Sequence, residues 1–205
     1  MFYVKEIFLT LQGEGFHVGT VAVFCRFSGC NVWSGIEQHR ERDARNGVCA
    51  RWCDTDFRGQ DGPNGGKFDA AHLVAKILEI AGKCRVVVFT GGEPGLQMTD
   101  DLVKECHAAG LKVCVETNGS RLLPSGIDWI CLSPKPPMPV VEQRYDEVKV
   151  VYPSVEPTEW ATVAPHRFIQ PQHGSPDATN ACIEFLKENS DWRLSIQTHK
   201  LLSIP

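Results

Sequence analysis

Short apolar runs alternate with segments of helical periodicity over most of the chain. Apolar runs predict strands at 86–89, 112–115, 129–132, 148–151, 167–169 and 193–196, and amphipathic segments predict helices at 70–80, 101–109 and 178–188. The segment Arg58–Gly66 is rich in glycine and polar residues and predicts a surface loop. Because strands and helices alternate, we expect an α/β fold with a parallel sheet and right-handed crossovers.

A polar or glycine-bearing cluster directly follows each of five apolar runs. The clusters are Thr90–Pro94, Glu116–Gly119, Ser133–Pro136, Gln170–Gly174 and Gln197–Lys200. In α/β sheets and barrels the carboxyl ends of the strands meet at one edge, and binding sites lie there. One such cluster is equally well explained by the general polarity of loops. Five clusters at equivalent positions predict a pocket.

Composition and charge narrow the class of protein. The 205 residues include 42% hydrophobic and 22% charged residues, a balance typical of a soluble globular protein, and we expect one domain spanning 1–205. No apolar run is long enough for a membrane span, and Lys5 and Glu6 interrupt the N-terminal apolar stretch, so we expect neither membrane association nor a secretory signal. These features favour the cytoplasm. The net charge of -4 argues against direct nucleic-acid binding.

The nine cysteines are the first sign of chemistry. In a reducing compartment they are more typical of thiols or metal ligands than of disulfides. Cys30, Cys49 and Cys53 would leave a structural zinc site one ligand short, but they suit a 4Fe-4S cluster with one iron open to another ligand. Their spacing alone leaves open that they are ordinary buried thiols. The other six lie in or beside apolar strands or on a helix, and we expect them to act as small hydrophobic residues.

Several motifs resemble the radical S-adenosylmethionine (SAM) superfamily, beginning with Gly91–Pro94 (GGEP) after a strand and Cys53–Thr55 (CDT). The superfamily's usual pattern is C-x3-C-x2-C, whereas this chain has a long insertion after the first cysteine, at about 34–48, and three residues between the last two. Some 7-carboxy-7-deazaguanine synthases, in the queuosine branch, have a similar long gap that opens like Cys30–Gly35 (CNVWSG). The chain is also similar to this branch in LQGEG, ETNG, SPK and LSIQTHK, at 11–15, 116–119, 133–135 and 194–200.

This resemblance covers essentially the whole chain and implies a fold and a reaction. The fold is the radical SAM core, a partial (β/α)6 TIM-like barrel of parallel strands. The reaction is the conversion of 6-carboxy-5,6,7,8-tetrahydropterin to 7-carboxy-7-deazaguanine with loss of ammonia, catalysed by a lyase that uses a 4Fe-4S cluster, SAM and Mg2+. A homodimer and a reducing electron donor such as flavodoxin are also expected.

The resemblance assigns the cofactor side of the site. Cys30, Cys49 and Cys53 would hold the cluster, and SAM would bind its open iron. Gly91 and Gly92 would offer backbone carbonyls to the SAM amino group while Glu93 fixes their loop. The remaining predicted cofactor contacts are Trp52 and Asp54 beside adenine, Ser133, Pro134 and Lys135 at the ribose or carboxylate, Gln170, Gln172 and His173 at the adenosine end, and Glu116 and Asn118.

The substrate side follows in the same way. Arg26 would pair with the pterin carboxylate, although a surface salt bridge would also account for it. Thr55 would bind Mg2+ together with that carboxylate, although a cap or turn threonine would look the same. Donors and acceptors for the pyrimidine ring are expected from Leu11, Gln12, Gly13, Glu14, Thr90, His199 and the carboxylate of Pro205.

Two other functions remain open at this point. One is an activase that uses the same radical machinery to place a glycyl radical on a protein. The LQGEG and QTHK segments argue against this function. The other is a non-catalytic zinc or iron-sulfur module, which would need neither the GGEP loop nor five polar clusters at strand ends.

Overall fold

A nine-stranded sheet forms the centre of the computed structural model, which describes residues 1–205. The strand order is β3-β1-β2-β4-β5-β6-β7-β8-β9. β1 is antiparallel to β2 and β3, and every other neighbouring pair is parallel, which confirms the predicted α/β class. The strands are β1 Phe2–Leu11, β2 Val21–Phe27, β3 Gly66–Phe68, β4 Val86–Gly91, β5 Lys112–Thr117, β6 Trp129–Leu132, β7 Glu147–Tyr152, β8 His166–Pro171 and β9 Arg193–Leu194.

Five α-helices accompany the sheet, and the three longest match the predicted ones closely. They are α1 Arg40–Asp43, α2 Ala70–Ala81, α3 Asp100–Ala108, α4 Ala178–Glu188 and α5 Thr198–Leu202. Asp69 and Thr99 cap α2 and α3 by accepting hydrogen bonds from the backbone N–H groups of His72 and Leu102. None of these helices combines the length and the apolar composition that a membrane span requires.

The predicted elements differ from the structure in two places. The predicted loop is confirmed over 58–65, but Gly66 begins a short strand, β3, which pairs with β1, and the last predicted strand is only two residues long. As the predicted elements imply, no α-helix joins β5 to β6, β6 to β7 or β7 to β8. The β6–β7 connection contains four prolines, which disfavour helix because they lack an N–H donor and clash with the preceding turn.

The side chains of the parallel strands alternate between two environments. One face of the sheet packs on the helices, where Val87 and Phe89 of β4 meet Leu73 and Ile77 of α2 in the main apolar core. The opposite, inner face has smaller apolar residues such as Val88 toward the start of the strands. Toward the strand ends, the inner positions become polar, with Arg26, Thr90, Glu116 and Lys149. Alternation therefore points these four side chains into one space.

Contacts after the last strand bring the two ends of the sheet together. The backbone N–H and the hydroxyl of Thr198 both donate to the carbonyl of Gly13, at 3.0 Å each. Nearby, the N–H of Gly15 donates to the hydroxyl of Ser195 at 3.0 Å. The sheet is thus curved as a partial barrel requires, although the strand order shows no pairing between β9 and β1.

Candidate active site

Two adjoining cavities open at the carboxyl ends of the parallel strands. The arginine cavity, named for Arg26, has a volume of about 350 Å³, and the cysteine cavity, which contains the three candidate ligands, about 180 Å³. The residues that line both cavities are Glu14, Asp54, Thr55, Thr90, Glu116 and Gln197. Groups bound in the two cavities would therefore lie next to each other, on either side of these shared residues.

Cys30, Cys49 and Cys53 line the cysteine cavity together, and each is a free thiol. Burial raises the pKa of Cys30 and raises that of Cys49 to about 12, so metal binding at these thiols would release their protons. No three His, Cys, Asp or Glu side chains converge closely enough for a single metal ion. The arrangement suits a cluster that takes one thiolate at each of three irons.

The insertion folds against the loop that carries the last two cysteines. It contains α1 and a short 3-10 helix, Glu37–His39, and a second 3-10 helix, Val48–Arg51, follows it and carries Cys49. The Arg40 guanidinium lies 4.4 Å from the centre of the Trp33 ring and donates to the carbonyls of Ala50 and Cys53, at 2.8 and 3.1 Å. The insertion therefore supports the cysteine loop from outside the cavity.

The GGEP loop packs tightly on the loop of the first cysteine. A Cβ atom at Gly91 would lie 2.3 Å from the Phe27 carbonyl oxygen, and one at Gly92 would lie 2.0 Å from the Gly29 oxygen. Glu93 is fully buried and accepts from the Thr117 hydroxyl, at 2.7 Å, and from backbone N–H groups. Burial raises the pKa of Glu93, and the hydrogen bonds oppose that shift. The side chain ties the loop to β5 without entering the cavity.

Most of the other residues predicted to bind the cofactor also line the cysteine cavity. Lys135 lies 5.5 Å from the centre of the Trp52 ring and donates to the Ser133 hydroxyl at 2.6 Å. Lining residues from this set are Trp52, Asp54, Gly91, Gly92, Glu116, Asn118, Ser133, Lys135 and Gln170. Glu93, Pro134, Gln172 and His173 do not line it. Gln172 accepts a hydrogen bond from Ser154, and the exposed His173 lies 3.9 Å from Asp54.

Every residue predicted to bind substrate lines the arginine cavity: Leu11, Gln12, Gly13, Glu14, Arg26, Thr90, His199 and Pro205. Nε of Arg26 donates to Glu6 at 2.8 Å, which leaves its two terminal nitrogens without a protein partner. Thr55 has no side-chain hydrogen bond to the protein and lines both cavities, so its hydroxyl is free for another ligand. The His199 ring packs on Gly13, where a Cβ would lie 2.2 Å from Nδ1.

Comparison with known proteins decides the family. Three 7-carboxy-7-deazaguanine synthases, from Burkholderia multivorans, Bordetella pertussis and Caulobacter vibrioides, are 51%, 49% and 48% identical to this chain, and each alignment covers 98% of both proteins. The chain belongs to the 7-carboxy-7-deazaguanine synthase family. The crystal structure of QueE from Escherichia coli is also similar, with a TM-score of 0.73 and 28% identity over 96% of this chain and 93% of that one. No family model matches the chain.

Membership of the synthase family confirms the resemblance drawn from the motifs. The residues that the motifs missed are buried or charged ones on the inner face. Lys149 was hidden inside the apolar run of β7, and Lys5, which pairs with Asp56 and Asp61 at 2.8 and 2.9 Å, lies in β1 at the arginine cavity. A lysine inside a buried strand was the available signal, because lysine is almost never fully buried unless it is paired.

Proposed function

We propose that this chain converts 6-carboxy-5,6,7,8-tetrahydropterin to 7-carboxy-7-deazaguanine with release of one ammonia. The observation that carries the proposal is the pair of adjoining cavities, one with three thiols and the other with a free guanidinium edge, in a member of the synthase family. The net reaction is redox-neutral, since ring contraction and loss of ammonia balance without an external oxidant. A reducing electron is needed only to start the radical chemistry.

The thiols of the cysteine cavity fit the cluster that such a reaction needs, and its other polar groups suit SAM. Cys30, Cys49 and Cys53 would hold the cluster, leaving one iron for SAM. When bound and reduced, the cluster and SAM supply a radical strong enough to remove a hydrogen atom from the substrate. The residues that line both cavities would orient SAM and the substrate next to each other.

The residues of the arginine cavity would orient the substrate. The free edge of Arg26 offers two parallel donors to the pterin carboxylate. Thr55 is the candidate Mg2+ ligand, because magnesium commonly uses few protein oxygens when a substrate anion supplies others. The carboxylate of Glu14 would accept hydrogen bonds from the N–H groups of the aminopyrimidine ring.

The proposal also covers the domain organisation, the location and the partners of the enzyme. It includes one domain over 1–205 with the insertion at about 34–48, a cytoplasmic location, a homodimer, and a reducing donor such as flavodoxin. It includes no direct contact with nucleic acid or membrane. The nine free cysteines support a reducing compartment.

One anaerobic experiment tests the proposed reaction and its ligands. The protein is reconstituted with iron and sulfide and given SAM, reductant, Mg2+ and the carboxy-tetrahydropterin, and deazaguanine is measured by mass. Cys30→Ala, Cys49→Ala and Cys53→Ala should each lose the absorbance near ~400 nm that iron-sulfur clusters show, together with all product. Cys182→Ala, at a buried thiol on α4 remote from the cavities, is the matched control and should keep both.

Two outcomes would contradict the proposal. If any of the three cavity variants retains a cluster that binds SAM, the ligand assignment is wrong. If the wild-type protein cleaves SAM but forms no deazaguanine from the pterin, the substrate is wrong, and a protein substrate becomes the alternative to examine.

A further inference from the structure

A buried lysine stands between two carboxylates at the wall between the cavities. The side chain of Lys149 on β7 is 4% exposed, and its ammonium donates to one oxygen of Glu14 and, at 2.9 Å, to one oxygen of Glu116. Glu14 follows β1 and Glu116 lies on β5, so the lysine joins three separate parts of the sheet. Both carboxylates line both cavities.

The second oxygen of each carboxylate is also held by the protein. Nε2 of Gln197 donates to Glu14 and Nε2 of Gln12 donates to Glu116, at 2.9 Å each. The Gln12 oxygen in turn accepts from the backbone N–H of Glu14 at 3.1 Å. These bonds fix the direction of each carboxylate, and every oxygen keeps room to accept a further hydrogen bond from a ligand, since an ionised carboxylate has about four acceptor positions.

The electrostatics of the group depend on the lysine. Burial alone would raise the pKa of Glu14, but Lys149 and the bond from Gln197 lower it to about 2. Burial alone would lower the pKa of Lys149, but Glu116 and Glu14 raise it well above its ordinary value. Cys131 and Glu147 also face the ammonium from neighbouring inner positions, and His199 lies near Glu14. The lysine is therefore the cation that keeps the Glu14 carboxylate ionised, and its ammonium donates to Glu116 as well.

A trio of buried charges is a poor way to stabilise a fold, because desolvation of the ions offsets most of their attraction. The three charges can instead serve substrate binding. A substrate with several N–H donors needs ionised carboxylates, because only these can accept hydrogen bonds from all of its donors. We propose that Lys149 is a positioning residue that aligns the carboxylates of Glu14 and Glu116, Glu14 toward the N–H donors of the aminopyrimidine ring and Glu116 toward SAM. This inference rests on the proposed function.

The test compares Lys149→Met with Lys76→Met by equilibrium binding of the pterin and of SAM to the cluster-loaded protein between pH 5.5 and 8. Lys76, on α2, forms an exposed pair with Glu79 and lies outside both cavities, so its variant should bind like wild type. For Lys149→Met we expect the Kd of the pterin to rise about 10- to 100-fold, the scale of losing charge-assisted hydrogen bonds. The Kd of SAM should rise as well, by a smaller factor.

The pH dependence separates positioning from a structural role. Without the cation, burial raises the pKa of Glu14, so pterin binding by Lys149→Met should weaken further as the pH falls, while that of wild type stays flat. A wild-type Kd with a flat profile in Lys149→Met would overturn the inference. If Lys149→Met does not fold, the double variant Lys149→Met, Glu116→Gln, which restores the wild-type net charge of the group, is measured against the same criteria.

The wild-type reaction distinguishes the two levels of the argument. If wild type forms deazaguanine and Lys149→Met binds the pterin normally, only the role of Lys149 is wrong. If wild type forms no deazaguanine and does not bind the pterin, the proposed function fails, and the role of Lys149 fails with it.

Discussion

Replacing Gly92 by alanine should distinguish the effect of tight packing around the cluster loop from the effect of backbone strain. The added Cβ would lie 2.0 Å from the Gly29 carbonyl oxygen and 2.8 Å from Cβ of Cys30. Gly92 does not have a positive φ, so alanine is compatible with its backbone conformation. The whole effect must then come from the contact with the neighbouring loop.

The size of the effect follows from what can move. A side-chain end could rotate away, but the Gly29 oxygen belongs to the backbone and accepts from the N–H of Glu93 at 3.0 Å. We therefore expect a loss of about 1–3 kcal/mol in folding free energy, the range for overpacked sites. Relief of the contact moves Cys30, so SAM affinity should fall at least about tenfold, which corresponds to ~1.4 kcal/mol.

The control is Gly110→Ala in the turn after α3. Gly110 has a φ of +75° and no atom within 4 Å of the added Cβ, so this variant introduces strain without a contact. It should lose about 1–2 kcal/mol of stability from the left-handed backbone but keep its iron content and SAM affinity. The measurements are thermal unfolding, iron per chain and SAM binding by calorimetry. Wild-type SAM affinity in Gly92→Ala, or an equal loss in Gly110→Ala, would refute the reasoning.

Two further variants test the arginine cavity. Thr55→Ala should keep its cluster but require more Mg2+ for turnover. Its kcat/KM for the pterin should fall by the equivalent of about 1–3 kcal/mol, the scale of a lost contact to a charged group. Mg2+ titrations of turnover that overlap with those of wild type would mean that Thr55 does not bind the metal. Gly13→Ala places a Cβ 2.2 Å from Nδ1 of His199 and should displace that ring. Its KM for the pterin should rise about tenfold while SAM affinity stays unchanged, because small displacements of positioning groups have large effects; equal losses for both ligands would contradict this.

The sequence predicted the middle and end of the sheet better than its beginning. Buried parallel strands appear as continuous apolar runs, and five were placed correctly from that signal, whereas the sixth, β9, is short and exposed. The antiparallel pair β1–β2 has no such signature, because the loop between Leu11 and Val21 is too long for the two-residue turns that identify a hairpin. The stretch from β5 to β8 contains no α-helix, in agreement with the predicted elements.

Within the site, the polar clusters at the strand ends predicted which residues lie near the cavities, but not which way their side chains point. Thr90, Glu116 and Gln170 line the cysteine cavity because their positions on the strands fix which face they occupy. Gln172 and His173 belong to the same cluster as Gln170, yet they come after β8 ends at Pro171 and point elsewhere. Beyond the last paired residue, loop conformation decides direction, and local sequence determines it poorly.

The charged residues of the inner face were missed because they alternate along the strands with apolar residues of the core. In β7, Val148 and Val150 face the helices, so Glu147 and Lys149 must face inward, next to Cys131 on β6. In the sequence, a lysine inside such an apolar run indicates a buried charge but does not identify the residues that pair with it. In a curved sheet the inner face is enclosed by the other strands, so a charge there needs opposite charges from distant segments, here Glu14 and Glu116. A charged residue at an inward position of a buried parallel strand should therefore be matched with opposite charges on other segments before it is assigned to solvent.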